Sequence, residues 1–145
     1  MPIVLSGNSN LSLIADGVLS GITALKSTTA NTAPVFQDSD GTQIGTLCRA
    51  WVNFNGTGTV AIHAAYNVST ITDNGTGIYT VNFTNPMPDT KYGFTYGMTR
   101  ENTAFGDVRC NGVSDSLTTT GFKILSGYGA GTAFDFPYIS LSFFR

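Results

Sequence analysis

From Ile44 to Phe54 the chain alternates with a period of two. Ile44, Thr46, Cys48, Ala50, Val52 and Phe54 share one face, and Arg49 and Asn53 fall on the other. That spacing is the geometry of a half-buried strand, not of a helix. Trp51 is out of step and lies on the opposite face from Val52 and Phe54. Asn55-Gly56-Thr57-Gly58 follows at once, and glycine supplies the positive φ that a tight turn requires.

The same alternation of strand and turn continues. Val60 and Ile62, with Val68 and Ile71 further along, read as one second strand before Asp73-Asn74-Gly75-Thr76-Gly77, the strongest turn signal present. Tyr79, Val81 and Phe83 make a third strand. It ends at Asn85-Pro86-Met87-Pro88-Asp89, because proline cannot donate to a central ladder. Tyr92, Phe94, Tyr96 and Met98 form a fourth, and residues 108–113 a weaker fifth. Residues 117–125 form a sixth, with Phe122 and Ile124 on one face. A flexible glycine-rich loop is expected at 126–132, and a last strand at 138–144 with Ile139, Leu141 and Phe143 on one face. About seven hairpin-connected strands predict an all-β fold, an antiparallel β-sandwich over residues 44–145. The hydrophobic last strand is expected to be docked.

Composition excludes the main rivals. The 145 residues make one domain. Charged residues are only 11%, against roughly 25% in a typical soluble domain. Gly, Thr, Ser and Asn together supply 61 residues, and these favour turns and strand surfaces over helix interiors. A helical bundle and an α/β enzyme with crossover helices are both disfavoured. The seven basic residues are scattered and make no footprint for nucleic acid. No run of ~18 apolar residues offers a membrane span, and MPIVLSGNSN is not expected to act as a secretory signal. Seventeen aromatic residues suffice for a core and argue against disorder.

Residues 1–43 differ from the rest. Phe36 is their one aromatic residue, and short apolar groups such as Ile3-Val4-Leu5 and Leu13-Ile14 are interrupted by Gly7, Gly17 and Gly21. They read as an extended N-terminal arm whose sparse apolar groups are buried between identical chains.

Candidate chemistry is thin. His63, the single histidine, falls on a strand face next to Ile62 and reads as solvated. No serine sits in a Gly-x-Ser-x-Gly elbow. The acids Asp38, Asp40, Glu101, Asp107, Asp115 and Asp135 lie in loops or the arm, where carboxylates are solvated or cap turns. Residues 127–131 lack the lysine and helix of a phosphate cradle. Cys48 and Cys110 have no metal-ligand spacing and read as buried free thiols. Asn-x-Ser/Thr triplets at Asn55, Asn67, Asn74 and Asn82 are expected by chance in such a composition. No catalytic residue, metal site or cofactor is expected, so the chain reads as a non-enzyme. Binding is more plausible: aromatic rings stack on sugar CH faces, while Asn, Asp and Arg pair with hydroxyls. The candidate loops hold Arg100, Glu101, Asn102, Phe105 and Asp107, and then Tyr128, Phe134 and Asp135. Against this, Phe105, Phe134 and Phe136 sit at strand ends, where aromatics commonly belong to the core.

One stretch carries a family resemblance. Residues 49–60 read RAWVNFNGTGTV, continuing through Ile62 to NVSTITDNGTGIYTVNFT at 67–84 and to Met87-Pro88-Asp89 and Tyr92. This resembles a segment of the tail-fibre and related virion fibre proteins of tailed phages. Ile78 stands where that pattern often has Asp, and His63 where it often has a basic residue. The resemblance spans residues 49–92, under a third of the chain. It implies a virion fibre component, assembled in the host cytoplasm as a homotrimer. The β-sandwich would be exposed distally, residues 1–43 attached to other virion proteins, and a host-surface glycan would be the partner. A capsid decoration, head-fibre or shaft protein without receptor role is the alternative. A polysaccharide depolymerase is less favoured, for want of an acid pair and of length.

Overall fold

The computed structural model describes residues 36–38, 40–99, 108–129 and 131–145, with backbone alone over 108–116. The protein is all-β: among the described residues there is no helix, and all pairing is antiparallel. The strands are β1 (Phe36–Gln37), β2 (Gln43–Gly45), β3 (Cys48–Asn55), β4 (Ala61–Tyr66), β5 (Val68–Asp73) and β6 (Ile78–Phe83). They continue as β7 (Gly93–Thr99), β8 (Val108–Leu117), β9 (Gly121–Tyr128), β10 (Thr132–Ala133) and β11 (Tyr138–Phe144).

One sheet has the order β4-β3-β11-β7. The other runs β5-β6-β9, with β8 pairing to β9 and the short β10 extending the β6 side of β9. β1 and β2 pair only with each other. Their hairpin crosses the boundary expected at 43/44, and residues 1–35 lie outside the described residues.

The alternation read from β3 holds where it matters. Ala50, Val52 and Phe54 are buried while Trp51 faces outward. It does not extend back to Ile44, which is 68% exposed. There the chain leaves the sheet at Thr46–Leu47 and enters the separate β1-β2 ladder. Cys48 is a half-buried free thiol, not a buried one; the Cys110 side chain lies outside the described residues.

The two sheets share one apolar core. Phe54 and Tyr79 meet with ring centroids 5.2 Å apart, Phe83 and Phe143 at 5.0 Å, and Phe122 and Phe143 at 5.4 Å. Each pair joins a residue of one sheet to a residue of the other, mostly edge to face, which suits the ring quadrupoles. Val81, Ile124, Phe136, Ile139 and Leu141 belong to the same buried cluster. A fully buried Phe contributes roughly 1.5–3 kcal/mol.

The connectivity differs from expectation in three respects. The single strand expected over 60–71 is two strands in different sheets. Asn67 between them has φ 56°, a left-handed conformation that asparagine tolerates. Its side-chain amide donates to the Arg49 and Asn85 carbonyls at 3.1 Å each, and its Oδ1 accepts from Asn85 N at 2.7 Å. The strand expected at 117–125 is broken by a turn at Thr118–Thr120. Gly121 N donates to Thr118 Oγ1 at 2.9 Å, a hydroxyl-built turn that lacks glycine or proline at its centre. Finally, the strands are not all joined by hairpins: β4 to β5, β6 to β7, β7 to β8 and β10 to β11 each pass from one sheet to the other.

Candidate functional site

Of the two expected binding loops, the described one, leading into β11, meets the β3–β4 and β5–β6 turns at one end of the sheets. Gly77 has φ +69°, and its N–H donates to Asp135 Oδ1 at 2.6 Å. The same carboxylate oxygen accepts a short hydrogen bond from the Tyr79 hydroxyl. That hydroxyl also lies 3.0 Å from the Gly56 carbonyl oxygen, while Gly56 N–H donates to Phe136 O at 2.8 Å. Ser126 is buried. Its N–H donates to Gly77 O at 2.7 Å, its carbonyl accepts from Phe134 N at 3.0 Å, and its Oγ lies 2.8 Å from Phe134 O. The three turns are thereby joined into one hydrogen-bonded junction.

Burial pushes the Tyr79 phenol well above its ordinary range, and the hydrogen bond to Asp135 raises it further. A phenol held neutral in this way is a structural donor, not a general base. Asp135 sits in the junction as its acceptor. Tyr128 and Phe134 stack edge to face at 5.2 Å, Phe134 meets Phe136 at 5.0 Å, and both Tyr128 and Phe134 pack against the core. These expected site residues are brought together, half-buried, as supports of the fold.

The glycine-rich stretch is not a loose loop. β9 runs on to Tyr128, and the chain turns back into β10, with Gly131 N donating to Gly129 O at 3.0 Å. Gly129 (φ 60°) and Gly131 (φ 105°) take the left-handed positions. A cleft of about 80 Å³ lies along this turn, lined by Tyr128, Thr132 and Ala133 among others. It is well below the roughly 300–1,000 Å³ of a small-molecule pocket. Arg100, Glu101, Asn102, Phe105 and Asp107 lie outside the described residues. The strand ends on either side of them, Thr99 and Val108, pair with Tyr138 and Tyr128.

Elsewhere Asp38 and Asp73 cap turns. Asp38 Oδ1 accepts from Asp40 N and Thr42 N at 3.0 and 2.9 Å, and Asp73 Oδ1 from Gly75 N at 2.9 Å. Among the described residues no group of three or more His, Cys, Asp or Glu is placed to hold a metal ion, and no helix is long and apolar enough to cross a membrane.

A second feature was not singled out from the sequence as a site. The outward face of the β4-β3-β11-β7 sheet carries exposed rings at two levels. Trp51 and Tyr66 are cross-strand partners, 38% and 58% exposed. His63 is exposed, as expected, and stacks on Tyr138, centroids 5.1 Å apart and planes 28° apart. Between the two ring pairs lies a floor of small neutral residues: Ala64, Asn53, Ser140 and Gly97 are successive neighbours across the ladder. The Asn53 amide donates to Ser140 Oγ at 2.6 Å. The signal available in the sequence was the displacement of Trp51 from the buried face.

Comparison of the chain with protein-family models, with curated proteins and with solved structures returns no match.

Proposed function

We propose that this chain is a virion fibre protein of a tailed phage. Its two sheets form a β-sandwich head in a homotrimer, its N-terminal residues 1–43 serve as the arm that joins other virion proteins, and its exposed surface binds a host-surface glycan. The observation that carries the reading is the resemblance of residues 49–92 to fibre proteins. The residues of that segment also have a coherent role. Asn55-Gly56 and Asn74-Gly75 form turns, Val52, Phe54, Tyr79, Val81 and Phe83 are core residues, and Tyr92 packs against Phe83 at 5.8 Å. A segment that supplies so much of one core identifies a fold type. The low charge agrees with a neutral glycan partner, and the reading is non-enzymatic.

A decoration or shaft protein with no receptor role is the second reading. It is favoured by one observation: Tyr128, Phe134 and Asp135 are all engaged in packing or hydrogen bonding within the chain. Adsorption of the purified protein to a panel of bacterial strains separates the two. Saturable binding to at least one strain, competing with phage particles, is expected of the fibre. No binding to any strain supports the decoration protein.

A further inference from the structure

We propose that the outward face of the β4-β3-β11-β7 sheet is a binding platform for an uncharged oligosaccharide, which lies across it from the Trp51–Tyr66 pair to the His63–Tyr138 stack. The inference rests on the host-glycan reading and moves the site from the turns to the sheet.

Large exposed rings on a sheet face are the informative departure from ordinary burial. Trp51 at 38%, Tyr66 at 58% and Tyr138 at 49% exposure offer π faces against which the CH side of a pyranose packs. The floor between them offers amide and hydroxyl groups, which both donate and accept and so match sugar hydroxyls. The register sets Tyr138 level with Asn55, four residues from Trp51 along β3. At strand rise that is about 13 Å, the span of a short oligosaccharide and too long for a single ring.

Charge selects the kind of ligand. β4, β7 and β11 contain no Asp, Glu, Lys or Arg, and Arg49 is the one such residue of β3. An anionic polymer would find too few cations here. A second copy of the chain is a poorer match as well. The centre of a stable protein interface is apolar, whereas the centre of this face is Asn53, Ser140, Gly97 and Ala64.

The test uses the fact that Trp51 is the single tryptophan, so its fluorescence reports on this face alone. The full chain is titrated with neutral trisaccharides of glucose, galactose, mannose and N-acetylglucosamine, with calorimetry in parallel. At least one is expected to change Trp51 emission saturably. Tyr66→Ala should raise its dissociation constant about tenfold, and Tyr66→Phe, which keeps the ring, should bind like the parent; circular dichroism verifies that both variants fold. Heat of binding without any emission change, insensitive to Tyr66→Ala, would overturn the face and leave the glycan reading intact. So would adhesion to cells without binding of any trisaccharide. Failure of both sugar and cell binding would overturn the face and the reading together. A Trp51 emission that shifts with protein concentration, in step with molecular mass, would show the face buried between copies and overturn the proposal.

Discussion

Gly77 and Gly58 both hold left-handed backbone, at φ +69° and +61°, yet they answer to different constraints. A Cβ at Gly58 would meet nothing within 4 Å, whereas one at Gly77 would lie 2.4 Å from Ser126 O and 2.8 Å from Phe134 N. Gly58→Ala should therefore show only the left-handed penalty, about 1–2 kcal/mol. Gly77→Ala should lose about 3 kcal/mol or more, because the backbone junction must also open. Urea unfolding of the two variants checks this, and equal costs would refute the junction. Tyr79→Phe removes the phenol that Asp135 accepts from, at an expected cost of about 1–3 kcal/mol. Asp135 illustrates why part of the site was not legible. In sequence it is one acid in a loop, and only the tertiary fold brings it to Gly77 and Tyr79, 58 and 56 positions away.

At the scale of elements, Asn67 decides the path of the chain. It separates β4 from β5 and passes the backbone from one sheet to the other, held by three side-chain hydrogen bonds. Asn67→Ala should cost about 2–3 kcal/mol, from lost hydrogen bonds and a φ that alanine resists. Asn67→Gly should cost less, because glycine accepts the backbone conformation. The urea midpoints of the two variants rank them, and Gly as damaging as Ala would contradict the argument. Strands with a clean period of two, β3, β6 and β11, were legible because one face is buried and the other is not. The corners were less so. A left-handed Asn and a turn of three threonines carry weaker local signals than Asn-Gly, so 60–71 and 117–125 each read as continuous. The outward aromatic face needed the register of β11 between β3 and β7, which no local pattern supplies.

At the scale of the whole molecule, two features respond to pH at opposite ends of the scale. Arg145 donates to both carboxylate oxygens of Asp89, at 2.8 and 2.7 Å. That pairing holds the Asp89 carboxyl at about 2, below the ordinary 3.8. Its contribution is present above the ordinary aspartate range and is lost as pH falls through about 2. Both groups are exposed, so the effect on stability is small. Arg145→Ala should move the Asp89 midpoint up toward 3.8, read by NMR titration of its side chain; an unmoved midpoint would refute the pairing. At the alkaline end, burial pushes the Tyr92 phenol up to about 12 from 10.0. Its contribution is complete below pH 10 and is lost as pH rises through about 12, with Tyr79 acting in the same direction. Phenolate absorbance should therefore rise cooperatively with unfolding, and Tyr92→Phe should reduce that step. A gradual rise with the fold intact would contradict the buried placement.

The proposed fibre role makes assembly its most exposed consequence. In the proposed reading the arm buries its apolar groups between copies and the fibre is a trimer, which would multiply weak glycan contacts by avidity. Light scattering of the purified full chain at micromolar concentration tests this directly. The account predicts a single species of about 46 kDa, three times the 15.3 kDa chain. A stable monomer of 15.3 kDa would contradict it.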